Sequence, residues 1–135
     1  MNARYTKDPI ALVVNSHHAV RRALCDRIQA SFANFQVREA GSVEDALCVL
    51  DSESIDVVVL DEGGGISGLK GTRAILEHSP KASVIVMSAL SEPTCRSAAN
   101  KAGAMAFVSR RAIGSELMQV LESFTKQRQN GHKSE

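Results

Sequence analysis

Aromatic residues are scarce in this chain. It has no tryptophan, one tyrosine and four phenylalanines, so aromatics make up 4% of its 135 residues. That counts against a site that stacks a flavin ring on aromatic side chains. Cysteine is sparse as well. Cys25, Cys48 and Cys95 are odd in number, widely spaced and free of any C-x-x-C pattern. This argues against a disulfide framework or a zinc site and for a reducing compartment, the cytoplasm. All three are expected to be small helix residues near the core. Excess charge of one sign is also lacking. The net charge of +1 gives no bulk electrostatic reason to bind nucleic acid or a membrane. No apolar run approaches the roughly 18 residues that would span a bilayer, and the opening MNARYTKDP has no apolar signal-peptide stretch. What remains is an ordinary soluble composition, 44% hydrophobic and 23% charged, at a length that makes one domain and buries a core without staples.

Hydrophobic periodicity divides the chain into alternating strands and helices. Ile10 to Val14 (IALVV) reads as a short buried strand. From His17 the period changes, and Val20, Leu24, Ile28 and Phe32 form one helical stripe, with Arg21, Arg22, Asp26 and Arg27 on the other faces. Phe35 to Glu39 alternates as a half-buried strand. Ser42 is a predicted N-cap for a helix carrying Val43, Ala46, Leu47 and Leu50. Ile55 to Asp61 (IDVVVLD) is a strand buried on both faces. Leu69 to His78 reads as a helix stopped by Ser79-Pro80. Ala82 to Met87 is a fourth strand, and Pro93 sits in the first turn of a helix ending near Gly103. Ala104 to Val108 is a fifth strand. Ser115 is a predicted cap for a last helix with Leu117, Val120, Leu121 and Phe124.

Five strands alternating with five helices predict an α/β fold: a doubly wound (βα)5 sandwich, flavodoxin-like, with a parallel sheet in the order 2-1-3-4-5. Residues 1–8 are expected to be a disordered start, 9–125 the domain, and 126–135 a polar tail or linker. Under that strand order the ends of strands one, three, four and five meet at a topological switch point. The crevice there is predicted to gather Asn15, Ser16, Asp61, Ser88 and Arg110. A carboxylate, a hydroxyl and a cation at one crevice are the makeup of a phosphoryl or anion site.

Here the chain resembles the receiver domains of bacterial two-component response regulators, over nearly all of Ile10 to Phe124. ALVVNSHHAVRRAL, IDVVVLD with its glycine loop, VIVMSA and KAGAMAFVSR carry the resemblance. It implies that Asp61 is the phospho-acceptor for a histidine kinase, that Ser88 contacts the phosphoryl group and helps switch the conformation, and that Phe107 is the aromatic residue that rotates on activation. It also implies a magnesium site at Asp61 and the Gly63 backbone, and a protein partner, either a sensor histidine kinase or another signalling protein. A homodimer is common in such proteins. Nucleic acid would be reached only through a domain not present here, and no membrane contact is implied.

The chain also departs from the family pattern. The acidic pair that helps hold Mg²⁺ is replaced by Asn15 and Ser16, and the usual lysine by Arg110. Gly65 stands where a proline is common, and Gly68 follows Asp61 one residue early. Mg²⁺ favours carboxylate ligands, so a weak or absent magnesium site is expected. Arg110, a planar fork rather than a point charge, is positioned to pair with Asp61 directly. The sequence therefore reads as an atypical, degenerate receiver and not an enzyme: a phosphorylation-independent or weakly phosphorylated interaction module. The alternatives are a working phospho-acceptor on Asp61, as the N-terminal part of a transcriptional regulator, and a small flavodoxin-like enzyme. Other motifs fade on inspection. His17-His18 lacks a third metal ligand, Gly63 to Gly65 lacks the P-loop Lys-Ser/Thr, and Ser88 lacks a nucleophile elbow. Arg21, Arg22 and Arg27 read as a solvated helix face.

Overall fold

The computed structural model describes residues 8–61, 66–88 and 93–133, without the side chains of 66–68, 93–95, 113 and 128–133. Five strands carry the runs of β-branched residues: β1 (Ile10–Val14), β2 (Gln36–Ala40), β3 (Val57–Asp61), β4 (Ser83–Ser88) and β5 (Ala106–Ser109). They form one parallel sheet in the order β2-β1-β3-β4-β5, the flavodoxin-like topology that the alternating pattern predicts. The helices are α1 (His18–Ser31), α2 (Val43–Ser52), α3 (Ile66–His78), α4 (Pro93–Ala102) and α5 (Met118–Lys133).

The two-residue repeat of a strand sorts the core into two halves. Ala11, Val13, Val57, Val59, Ile85 and Met87 face one way and pack with Leu24, Cys25 and Ile28 of α1 and Leu121 and Phe124 of α5. Leu12, Val14, Val58, Leu60, Val84 and Val86 face the other way, with Ala46 of α2, Ile75 of α3 and Ala99 of α4. β3 lies at the centre and is buried along its whole length, which is why it reads as an unbroken apolar run. Phe35 joins the first half, stacked on Phe124 at 6.5 Å and edge-on to Phe32 at 5.5 Å.

Several local boundaries differ from the sequence reading. β5 starts at Ala106, not Ala104, because α4 unwinds through a helix-stop turn. Gly103 takes φ +103°, the Gly103 N–H donates to Asn100 O, and the Ala104 N–H donates to Ala99 O. Those bonds hold Ala104 against the helix end and out of the sheet. Ser115 is not a cap. After β5 the chain winds through a 3₁₀ turn, Arg110–Ala112, and a π-helical turn, Ile113–Leu117, before α5 begins at Met118. Ser115 lies inside the π turn, its hydroxyl donating to Ala112 O at 3.5 Å. α5 also continues past Lys126 to Lys133. Polar composition alone does not end a helix when no proline interrupts it. Ser42 does cap α2, accepting the Asp45 N–H at 3.0 Å.

Of the cysteines, Cys25 is buried in α1, where burial pushes its thiol up to about 11. Cys48 is exposed and so is not the near-core residue expected from sequence; it takes an outer face of α2. The Cys95 side chain lies outside the described residues.

Candidate functional site at the ends of β1, β3 and β5

β1 and β3 run side by side with Val14 opposite Leu60, so Asn15 and Asp61 emerge together where the two strands stop. Asp61 continues the alternation of Val57 and Val59 and falls on the α1 side of the sheet. Its side chain is 1% exposed. Arg110, the first residue after β5, reaches across to it. Arg110 Nε donates to Asp61 Oδ1 at 2.9 Å, and Nη2 donates to the same oxygen. The other carboxylate oxygen, Oδ2, accepts the Asn15 amide N–H at 2.7 Å. Both oxygens of Asp61 therefore have donors from within the chain.

Asn15 is itself held in place. Its Oδ1 accepts the His17 backbone N–H at 2.6 Å, and its backbone carbonyl accepts from Arg21 Nη1 at 2.9 Å. His17 caps α1 by accepting the Val20 N–H on its ring nitrogen at 3.4 Å, in keeping with a helix-start role for the histidine pair. Among the described residues no cluster of three or more His, Cys, Asp or Glu side chains is placed to hold a metal.

Arg21 was missed in the sequence. It is not a solvated residue: its side chain is 15% exposed, and its Nε pairs with Glu39 of β2 at 2.8 Å. Arg22 closes on the second Glu39 oxygen. Hydrogen bonds from Arg21 and then Arg22 hold the Glu39 carboxyl below the usual carboxylate range. Helical periodicity puts Arg21 on an outer face of α1. Only the pairing of β1 with β2, which brings Glu39 beside Val13, shows that this face meets an acid.

The remaining site residues fall at different depths. Ser88 is fully buried at the end of β4, opposite Ser109 and one step past Met87, the partner of Asp61. Ser16 is exposed and stands outside the set of bonds around Asp61. Phe107 is 6% exposed. Arg96 of α4 donates to its backbone carbonyl at 3.0 Å and lies over its ring at 5.1 Å from the centroid. Gly63, with the rest of the glycine loop, lies outside the described residues.

A parallel sheet in this order, with a carboxylate ending β3, a buried hydroxyl ending β4 and a cation following β5, has the plan of a signalling receiver domain. A family model described as the response regulator receiver domain matches residues 11–122, and the chain belongs to that family. The family is one of signalling rather than enzymatic domains, and its members interact with other signalling proteins. Among curated proteins, the chain is 32% identical over 111 residues to the transcriptional activator protein ExaE of Pseudomonas putida, covering 82% of this chain and 52% of that one. It is 27% identical over 113 residues to the response regulator UvrY of Escherichia coli (strain K12), covering 83% and 52%. The chain thus spans about half the length of the curated relatives it matches. Among solved structures, a two-component response regulator of the LuxR family from Aurantimonas sp. SI85-9A1 superposes with a TM-score of 0.78 at 21% identity, covering 95% of this chain and 99% of that one.

Proposed function

We propose that this chain is an atypical receiver domain whose conformation is held by its own Asp61–Arg110 ion pair, and which acts as a protein-interaction module with little or no dependence on phosphorylation. One observation carries the reading: both oxygens of the Asp61 carboxylate already accept N–H donors, Oδ1 from Arg110 and Oδ2 from Asn15. A phospho-acceptor uses one of those oxygens as the nucleophile, and each donor that already holds the carboxylate lowers its nucleophilicity and fixes its orientation. It also needs a metal to neutralise the charge that develops during transfer. The donors present fit Mg²⁺ poorly. Asp61 is the only carboxylate among them in the described residues, Asn15 offers an amide oxygen that already accepts from His17, and Ser16 offers a hydroxyl. Mg²⁺ is bound through carboxylates and retained water in near-octahedral geometry, so binding here is weak at most.

The partner is a signalling protein, such as a sensor histidine kinase, or a second copy of the chain. The names of the relatives, a transcriptional activator and a response regulator, support transcription as the output, exerted in the cytoplasm through a domain outside this sequence. The second reading is a working phospho-acceptor at Asp61, favoured by Ser88 at the end of β4 and Phe107 within β5, three residues before Arg110. The test is a titration of the purified protein with beryllofluoride and Mg²⁺, followed through backbone amide shifts. The expected result is no saturable change at Asp61, Ser88 or Phe107 at millimolar Mg²⁺. Saturable, Mg²⁺-dependent shifts at those residues would establish the phospho-acceptor reading instead.

A further inference from the structure

Beside the ion pair lies a cleft of about 280 Å³, lined by Val20, Ala23, Leu24 and Arg27 of α1 together with Asp61 and Arg110. We propose that this cleft binds a small organic carboxylate with a compact apolar body, its acid group held by Arg27 and Arg110 and its body lying on Val20, Ala23 and Leu24. The proposal names the regulator of the same site and rests on the reading that Asp61, not a phosphoryl group, occupies Arg110.

The cations come first. Arg27 has no acidic partner among the described residues, although the arginines on either side of it in the sequence pattern, Arg21, Arg22 and Arg38, all have one. Its head group lies against the helical turn that follows β5. A Cβ added to Gly114 would sit 2.6 Å from Arg27 Nη2, so the guanidinium lies directly over a residue with no side chain. Arg110 spends its Nε and one Nη2 proton on Asp61, and its side chain remains 36% exposed. Its remaining N–H groups have no acceptor among the described residues. Two arginines with unspent donors thus line one small cavity, beside an Asp61 carboxylate that Arg110 already neutralises, and planar, bidentate donors match a carboxylate.

The wall decides the rest of the ligand. Val20 is 42% exposed, one of only two large hydrophobic side chains so exposed among the described residues, and it stands at this cleft with Ala23 and Leu24. A hydrated inorganic anion gains nothing from such a wall, whereas an aryl or branched alkyl group buries it. The volume, about 280 Å³, lies just below the range usual for small-molecule pockets, which suits a body the size of a phenyl or isobutyl group.

The experiment is an amide-shift titration of the ¹⁵N-labelled full chain at fixed ionic strength. Benzoate and 3-methylbutanoate are the probes; acetate and inorganic phosphate are the comparison arms. Benzoate and 3-methylbutanoate are expected to give saturable shifts at Val20, Ala23, Arg27 and Gly114, with acetate and phosphate about tenfold weaker or more. Arg27→Ala is expected to weaken benzoate by about tenfold. Val20→Asp, at an exposed position that leaves the fold intact, is expected to abolish the shifts. Absence of saturation, equal binding of phosphate and benzoate, or an Arg27→Ala variant that binds like the parent would each overturn the proposal. A parallel sample with beryllofluoride and Mg²⁺ separates the two failures. Mg²⁺-dependent shifts at Asp61 and Phe107 would remove the reading beneath the proposal. A silent parallel sample beside absent carboxylate binding would remove the proposal alone.

Discussion

At the scale of single residues, the site is governed by one carboxylate that has left water. The buried Asp61 carboxylate is tolerable because three N–H donors surround it, two from Arg110 and one from Asn15. Arg110→Ala removes both donors on Oδ1 and the only neighbouring cation in that bond set. Because Arg110 is itself 36% exposed, water can partly replace it, so the expected loss is about 1–3 kcal/mol rather than the larger cost of breaking a fully buried pair. Urea unfolding measures it, and an unchanged midpoint would mean that the pair contributes nothing to the folded state. Arg110→Lys keeps the charge without the fork and is expected to fall between the two. The pair joins residues far apart in sequence, so no local pattern contains it. It becomes legible only once the parallel sheet brings the C-terminal ends of β3 and β5 to the same side, one strand apart.

At the scale of elements, α1 is tied to β2 by the grip of Arg21 and Arg22 on Glu39, and the same Arg21 holds the Asn15 carbonyl. The tie has a pH signature. The Glu39 carboxyl is depressed, first by its hydrogen bond from Arg21 and then by that from Arg22. The unfolded chain therefore takes up a proton at Glu39 before the folded chain does. The stabilisation is complete above the ordinary glutamate value of about 4.3 and is lost as pH falls through the lower folded value. Glu39→Gln should lower stability at pH 6 and flatten its decline between pH 5 and pH 3, read as urea midpoints across that range. A variant with the parent's acid limb would show that the tie carries no proton linkage. The elements themselves were largely legible. β1, β3 and β4 are buried on both faces, and burial of that kind writes itself as Val and Ile runs. The ends were not. The stop at Gly103 depends on backbone hydrogen bonds, the π turn at Ile113–Leu117 has no compositional mark, and Arg21 carries the same letter as a solvated arginine.

At the scale of the molecule, the two core halves lock all five strands into one sheet, so a change at the Asp61 crevice is felt as global stability. That makes magnesium a test of the whole fold. Ligand that binds only the folded state stabilises it by RT ln(1 + [L]/Kd), which is about 2.7 kcal/mol at a hundredfold excess over Kd. In the parent chain, with both Asp61 oxygens occupied and an amide and a hydroxyl in place of acids, 10 mM Mg²⁺ is expected to shift the melting temperature by less than about 1 °C. Putting carboxylates at both positions, Asn15→Asp with Ser16→Asp, reverses the balance. Without metal, the residue 15 carboxylate replaces a donor 2.7 Å from Asp61 Oδ2 with a like charge, and the double variant should melt below the parent. With 10 mM Mg²⁺ it should recover by several degrees, since about 1 kcal/mol corresponds to about 3–5 °C in a domain of this size. Equal Mg²⁺ responses in the two proteins would mean that the residue 15 and 16 side chains do not set metal affinity. The hold of Arg110 on Asp61 would then be the remaining determinant, which the Arg110→Ala variant, melted with and without Mg²⁺, would decide.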